Sequence, residues 1–167
     1  MICGIDVGIK ESFVAIVKGR KVLYLGKLKD LPICEAYGID APLSYKEPFR
    51  DCEKELLKMG IPVIPLNTPF MKVLHKKAVE IVEKIESGRV FEVYPYATRK
   101  LLGFAYSKKK KEGRKKIEKK LREFFDFEKE LSEHEIDSLT AALTVKLFFE
   151  GKAKEVGREC KILIPSV

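Results

Sequence analysis

Short apolar runs at the start of the chain predict strands before any helix. Residues 2–7, 13–18 and 21–28 are rich in Ile, Val and Leu and are bounded by Gly and charged residues. Gly19 and Arg20 separate the second and third runs, and a two-residue connection with Gly first favours a type II′ hairpin. We therefore expect the fold to open with an antiparallel meander of three strands.

Further along the chain the apolar residues take a helical period, interrupted by two more strands. Strands are predicted at residues 37–40 and 90–94, each followed closely by a proline. Helices are predicted over residues 47–59, 71–85, 98–102, a basic stretch around Ile117 and Leu121, and 135–150. No repeat or low-complexity linker divides the sequence. We expect one α/β domain over residues 1–167, with a mixed five-stranded sheet of an antiparallel meander and parallel strands, flanked by helices.

Two of the predicted strands end in the same three residues, Gly-Ile-Asp. They place Asp6 and Asp40 at the ends of apolar segments, where a buried charge is costly unless something pairs with it. On the last predicted helix Asp137 shares a face with Ala141 and Val145, since residues four apart lie above one another. Small residues in this helix would let it pack closely on the sheet. We expect this packing to bring Asp137 to the ends of the strands.

Three acids at one edge of a sheet predict a metal site. Carboxylates this close raise one another's pKa unless a cation lies between them. Mg²⁺ and Mn²⁺ prefer oxygen ligands, and two such ions can activate a water and stabilise the leaving oxygen of a phosphodiester. Asp6, Asp40 and Asp137 are therefore the candidate catalytic residues and the candidate ligands of one or two Mg²⁺ or Mn²⁺ ions. Each also has a simpler interpretation: a bond to backbone amides for Asp6, a turn for Asp40 and a helix cap for Asp137.

Two further side chains are candidates for the same chemistry. Glu92 alternates with Phe91 and Val93 in a predicted strand, so it faces either solvent or the site, and it is a candidate catalytic or supporting residue. His134 lies one helical turn before Asp137 and could move a proton or position a water. The simpler interpretation of His134 is an exposed residue at the start of a helix.

The excess of positive charge lies in one segment. The net charge is +8, and ten basic residues against two glutamates lie between residues 108 and 122. Such a segment favours the binding of phosphates, although a lysine-rich helix face is also common as plain solvated surface. Arg50 could bind a phosphate or pair with a carboxylate. The candidate nucleic-acid-binding residues are Arg50, Lys108, Lys109, Lys110, Lys111, Arg114 and Lys115.

The cysteines and the hydropathy suggest where the protein works. The four cysteines are scattered with no zinc-ligand spacing, so we expect free thiols in a reducing cytoplasm. No segment has the length and apolar character of a leader or a membrane span, which predicts a soluble cytoplasmic protein without membrane contact. The many Lys and Glu residues, with no Gln and a single Asn, are typical of hyperthermophile proteins.

The order of these motifs resembles a known family. GIDVG, YGIDAPL, FRDCEKEL, FEVYP, the lysine-rich EGR region and an aspartate before an alanine-rich helix are together similar to the predicted nucleases called domain of unknown function 429. More distantly, GIDVGIKESFVAIV resembles the opening strands of Holliday-junction resolvase-like proteins. The resemblance implies an RNase H-like fold and a divalent-metal-dependent nuclease. The chain departs from the family in having Glu53 where an aspartate is common, and in a link between the third and fourth strands that is too short for a helix.

Three functions fit these residues. The first is a metal-dependent nuclease that cuts DNA or RNA by structure and not by base sequence, since contacts to phosphates carry no sequence information. The second is a nucleic-acid-binding module on the same scaffold that does not cut. The third, from the Asp-x-Gly turn of GIDVG, is one lobe of a sugar-kinase or actin-like protein, which the length of 167 residues disfavours. A homodimer would suit a junction-cutting enzyme, although no residue pattern indicates an interface.

Overall fold

The computed structural model describes all 167 residues and contains one sheet of seven strands with five helices. The strands are β1 (Ile2–Asp6), β2 (Phe13–Lys18), β3 (Lys21–Lys27), β4 (Ala36–Asp40), β5 (Arg89–Val93), β6 (Ala153–Val156) and β7 (Ile162–Pro165). The helices are α1 (Asp51–Lys58), α2 (Pro69–Glu83), α3 (Pro95–Leu101), α4 (Lys111–Leu121) and α5 (Glu133–Phe149).

The strands lie in the order β3-β2-β1-β4-β5-β7-β6. β1, β2 and β3 pair antiparallel, as the meander predicted, and β4, β5 and β7 continue the sheet in parallel to β1. The connection between β2 and β3 has a φ of +60° at Gly19 and no positive φ at Arg20, which is the pattern of a type II′ turn. The mixed α/β class is confirmed.

The predicted number of five strands is wrong, because β6 and β7 add a hairpin beyond α5. β7 is a run of only four residues, and such short apolar runs do not distinguish a strand from a helix. β6 lies at the edge of the sheet with the two charged residues Lys154 and Glu155 exposed, so it lacks a clear apolar face. Neither segment carried a periodic signal strong enough to predict it.

Two glycines let α5 lie directly on the strands. A Cβ atom added at Gly4 would lie 2.1 Å from the carbonyl oxygen of Ser138, and one at Gly38 would lie 2.9 Å from that of Ala141. Both are closer than a Cβ can approach, so any larger residue at either glycine would push the helix away. In β1 and in β4 the glycine stands two residues before the aspartate, so both positions lie on the face of the sheet that α5 covers.

The isoleucines between those glycines and aspartates face the other side of the sheet. Ile5 and Ile39 are fully buried and pack in one core cluster with Leu74 and Ala78 of α2. A second core cluster contains Ala142 and other residues of α5 together with α4 and β2. The Gly-Ile-Asp motif therefore contributes to both faces of the sheet. Its isoleucine packs under α2, and its glycine and aspartate lie under α5.

All four cysteines are paired, so the prediction of free thiols is wrong. Cys3 at the start of β1 is bonded to Cys34 just before β4, and Cys52 of α1 is bonded to Cys160 just before β7. The partners are 31 and 108 residues apart in the chain, and only the pairing of the sheet brings them together. Intracellular proteins of hyperthermophiles are one class in which such disulfides occur. None of the five helices is long and apolar enough to cross a membrane.

Candidate metal centre

Asp6, Asp40 and Asp137 come together at the carboxyl ends of β1 and β4. The two strands are parallel neighbours in a register that pairs Asp6 with Asp40, so both side chains leave the sheet at the same level and on the same face. Asp137 lies in the first turns of α5, directly before Ser138, whose backbone contacts Gly4. One carboxylate oxygen of each aspartate lies within 4.8 Å of the other two.

The carboxylates repel one another in a site with little water. Burial, and after it the charge of Asp137, raise the pKa of Asp6 to about 6, and a hydrogen bond from His134 lowers it only in part. Burial together with the charges of Asp6 and Asp137 raises the pKa of Asp40 well above its ordinary value. No hydrogen bond offsets this rise at Asp40. The charges of Lys108 and Arg99 lower the pKa of Asp40 without cancelling this rise, so the protein compensates the negative charge of the cluster only in part.

Two cations face the cluster, and both pair with the same aspartate. Arg99 Nη1 of α3 lies 2.9 Å from Asp137 Oδ1, and Lys108 Nζ lies 2.5 Å from Asp137 Oδ2. Arg99 is buried, and its Nε is the one buried side-chain nitrogen or oxygen atom without a hydrogen-bond partner. Arg99 was not predicted from the sequence, because an arginine in a short helix has no pattern that reveals an inward side chain.

His134 contacts the cluster from the solvent side. Its Nδ1 lies 2.8 Å from Asp6 Oδ2, and its ring stacks on Phe13 with a centroid separation of 4.8 Å and an interplanar angle of 6°. The side chain remains 60% exposed. A histidine held in one orientation between a carboxylate and solvent can exchange protons with water. The expected exposure at the helix start and the expected nearness to the aspartates are therefore both correct.

Glu92 does not join the aspartate cluster. In the parallel register of β4 and β5, Glu92 pairs with Ile39 and not with Asp40, so its side chain lies on the α2 face of the sheet. There Glu92 is buried and accepts hydrogen bonds from the amide of Leu43 and from the guanidinium of Arg50. The structure does not bring Glu92 together with the aspartates, because the alternation of the strand places it on the opposite face, and its catalytic or supporting role stays a prediction.

Arg50 is occupied by two carboxylates and is not free to bind a phosphate. It is 3% exposed and donates to both oxygens of Glu92, at 2.9 and 2.5 Å, and to both oxygens of Glu53. Its remaining bonds go to Ser44, in the segment that follows Asp40. The predicted nucleic-acid contact of Arg50 is therefore corrected to an internal ion pair. The alternative of pairing with a carboxylate is the one the structure shows.

The basic segment divides into bonded and free side chains. Lys108 turns inward to Asp137, and Arg114 is half-buried with its Nη1 2.8 Å from the carbonyl oxygen of Lys108. Lys120 pairs with Glu123 and Arg122 pairs with Glu118, whereas the other six basic residues of the segment are exposed and form no ion pair. We define the lysine surface as these exposed side chains: Lys109, Lys110, Lys111, Lys115, Lys116 and Lys119. Lys116 Nζ also lies 5.1 Å from the ring centre of the exposed Tyr106.

A cleft of about 480 Å³ lies over the carboxyl ends of β1, β4 and β5. The three aspartates, His134 and Lys108 line it. So do the residues of the arginine cluster, which we define as Arg50, Glu53 and Glu92. The cleft thus connects the α5 face of the sheet, which carries the aspartates, with the α2 face. Ligands of parallel α/β sheets bind at this carboxyl edge as a general rule.

The fold is similar to that of a solved structure. The Thermus thermophilus RuvC structure aligns with 90% of this chain and 96% of its own chain, with a TM-score of 0.50 and 17% sequence identity. At this identity the likeness concerns the fold alone, and it supports the RNase H-like fold that the resemblance of the motifs implied. No protein-family model matches the chain, and no curated protein matches its sequence significantly. Membership of the domain of unknown function 429 family therefore stays a prediction.

Proposed function

We propose that this protein is a divalent-metal-dependent nuclease whose metal is held by Asp6, Asp40 and Asp137. The observation that carries the proposal is the cluster of three carboxylates with oxygens within 4.8 Å of one another, in which Asp40 has neither a hydrogen bond nor an ion pair. The donor set consists of oxygens only, which suits Mg²⁺ or Mn²⁺ and not a softer metal. Ions held there would polarise a phosphodiester and lower the pKa of a bound water.

The remaining residues of the cleft have supporting roles in this proposal. Arg99 and Lys108 fix the orientation of the Asp137 carboxylate, one on each oxygen. His134 holds a proton at Nδ1 against Asp6 Oδ2 and exchanges protons with solvent through the exposed part of its ring. The lysine surface begins next to Lys108 at the rim of the cleft and binds the phosphates that lead to the site.

Cleavage assays on a panel of labelled nucleic acids test this function. The panel contains branched, duplex and single-stranded DNA and RNA, incubated with Mn²⁺ or with EDTA. We expect Mn²⁺-dependent cleavage that Asp40→Asn reduces by at least about a hundredfold, the scale expected when a charge that acts on the transition state is lost. Asp30→Asn, an exposed aspartate with no ion pair, is the matched control and should leave the rate unchanged. Equal rates for the two variants would contradict the proposal.

One observation favours a second function, a nucleic-acid-binding module that does not cut. Both carboxylate oxygens of Asp137 already pair with cations, which reduces the negative charge available to a metal. In that case the lysine surface would bind nucleic acid with strong salt dependence, and Mn²⁺ would change neither the affinity nor the integrity of the strand. An electrophoretic shift assay with and without Mn²⁺, read for cleavage products on the same gel, separates the two functions.

Three finer features of the proposal stay predictions from the sequence. They are membership of the domain of unknown function 429 family, cutting directed by nucleic-acid structure, and a homodimer of the kind that suits junction cutting. Either DNA or RNA fits the lysine surface, since phosphates are common to both. The cytoplasmic location also stays a prediction, and the two disulfides remove the free thiols on which it partly depended.

A further inference from the structure

One wall of the cleft is apolar and has no function in the chemistry proposed above. We define the apolar wall as Ile9 from the β1–β2 loop, Ile64 from the segment before α2, and Phe70 and Met71 from the first turn of α2. Phe70 and Ile64 are each 52% exposed, and Ile9 is 40% exposed. Large apolar side chains grouped in a concave site, and not scattered singly, indicate a ligand that covers them.

Phe70 and Met71 of the apolar wall belong to α2 and most of the lysine surface belongs to α4, and these two helices pack on opposite faces of the sheet. α2 packs on the face that carries Ile5 and Ile39, whereas α4 packs with α5 in the core cluster of the other face. The aspartates stand between them, at the edge of the sheet where the two faces meet. A strand of nucleic acid whose phosphates follow the lysine surface to the aspartates would therefore meet the apolar wall next.

We propose that the apolar wall binds one nucleobase of the substrate, unstacked from its neighbours, while the phosphate attached to its nucleotide lies at the aspartates. This inference rests on the proposed nuclease function and adds the class of substrate. Nucleobases stack on aromatic side chains, and Phe70 is the exposed aromatic ring of the wall. A base can reach the wall only from a single strand, an unpaired position or a duplex that opens.

The size and composition of the cleft support one nucleotide as the occupant. Its volume of about 480 Å³ lies in the range that encloses a single ligand of small-molecule size. A double helix, with a major groove alone about 12 Å wide, is too large to enter it. Because stacking on an apolar surface does not read the edges of a base, the wall selects unpaired nucleotides without selecting their sequence.

Binding measurements on two oligomers test the base-binding wall. One oligomer is a short labelled oligothymidylate, and the other has the same sugar-phosphate chain without bases. Affinities are measured by fluorescence anisotropy with Ca²⁺, which takes the same oxygen ligands, in place of Mn²⁺. Strand integrity is checked afterwards. The variants are Phe70→Ala and the control Val73→Ala, which changes an exposed residue of the same helix outside the cleft.

We expect the wild-type protein to bind the base-bearing oligomer about tenfold more tightly, a factor within the range of one base stacked on one aromatic side chain. Phe70→Ala should lose most of this preference and keep its affinity for the oligomer without bases, while Val73→Ala keeps both. Comparing the ratio of the two affinities between each variant and the wild type isolates the contact of the base with the Phe70 ring from any general effect on folding.

Three results would overturn the inference, and they can be told apart from failure of the nuclease proposal. Equal affinities of the wild-type protein for both oligomers would show that no base is bound, while leaving the metal site and cleavage untouched. An unchanged preference in Phe70→Ala would place the base elsewhere. A change of Phe70→Ala from dimer to monomer in sedimentation would make the wall an interface between copies. Absence of binding to either oligomer would remove the nuclease proposal itself.

Discussion

Two clusters of buried carboxylates line the same cleft, and they differ in how their charge is compensated. In the arginine cluster, Glu53 and Glu92 share Arg50, and all four of their carboxylate oxygens accept hydrogen bonds. In the aspartate cluster, the cations Arg99 and Lys108 both pair with Asp137. His134 is the sole partner of Asp6, and Asp40 has no hydrogen bond or ion pair.

The difference separates structure from function. A buried carboxylate that is fully bonded within the chain needs no ligand, and its role is to fix the parts it joins. Here Glu92 and Arg50 join the end of β5 to the segment that follows Asp40, through Leu43 and Ser44. A carboxylate buried without partners costs free energy that the fold alone does not recover. We infer that the aspartate cluster is complete only with a further cation, held between the carboxylates.

The largest expected effect is the loss of stability when a substitution breaks the arginine cluster. Arg50→Met leaves Glu53 and Glu92 buried without their cation, and removing one partner of a buried ion pair costs about 3–5 kcal/mol. Urea denaturation should show this loss in the free energy of unfolding. Lys54→Met, which removes an exposed and unpaired cation from α1, the helix that begins directly after Arg50, should change it by less than about 0.5 kcal/mol. A loss below 1 kcal/mol in Arg50→Met would mean that the cluster contributes little to stability.

The next effect has the opposite sign and concerns the aspartate cluster. The pKa of Asp6 is about 6 in the folded protein against 3.8 as its ordinary value, so the folded state holds its proton to a higher pH. Stability of the metal-free protein therefore falls as the pH rises from about 4 to 6, and the loss is complete above that range. Asp6→Asn removes this loss and should stabilise the protein in EDTA at pH 7 by about 1–3 kcal/mol.

Denaturation of both proteins in EDTA between pH 4 and pH 8 checks this sign. The stabilisation by Asp6→Asn should be absent at the acid end and should grow through the window in which Asp6 ionises. Asp30→Asn, an exposed aspartate, should show no such growth. A variant of Asp6 that is less stable than the wild type at pH 7 would show that the aspartate cluster is compensated within the chain, like the arginine cluster.

The smallest expected effect is on the salt dependence of nucleic-acid binding. It distinguishes Lys108, which pairs with the aspartate cluster, from the exposed lysines of the lysine surface. Lys109 is exposed and unpaired, whereas the charge of Lys108 is offset by Asp137. Lys109→Ala should reduce the slope of log affinity for nucleic acid against log salt by about 0.7 to 0.9, the value of one phosphate contact. Lys108→Ala should reduce it by less. Equal slopes for the two variants would mean that Lys108 leaves Asp137 to bind phosphate.

The sequence was most informative where one motif determines both a strand and the face of that strand that packs against a helix. Gly-Ile-Asp predicted two strand ends, and its spacing of two residues puts glycine and aspartate on one face by the geometry of any strand. β6 and β7 were not predicted, since these four-residue strands depend on the pairing of β7 with β5 and of β6 with β7, and not on their own pattern. The disulfides were missed for a similar reason, because their partners meet only in the finished sheet.

At the site, the sequence predicted the acids but not their partners. Asp6, Asp40 and Asp137 lie together as expected from their elements. Glu92 was assigned to them because alternation alone does not say which face of a strand meets the site, and the register with Ile39 decides this. Whether Arg50 binds a carboxylate or a phosphate depends on what lies within reach of its guanidinium, and only the folded chain shows that Glu53 and Glu92 do.

Calorimetric titration with Mn²⁺ of the wild-type protein and of Asp6→Asn tests the central claim most directly. If the aspartate cluster is a metal site, the wild type binds Mn²⁺ with a saturable heat and Asp6→Asn does not, while Glu92→Gln, in a cluster already compensated, still binds it. Wild-type protein that binds no Mn²⁺, or Asp6→Asn that binds it with unchanged affinity, would contradict the account and leave the aspartates without a metal.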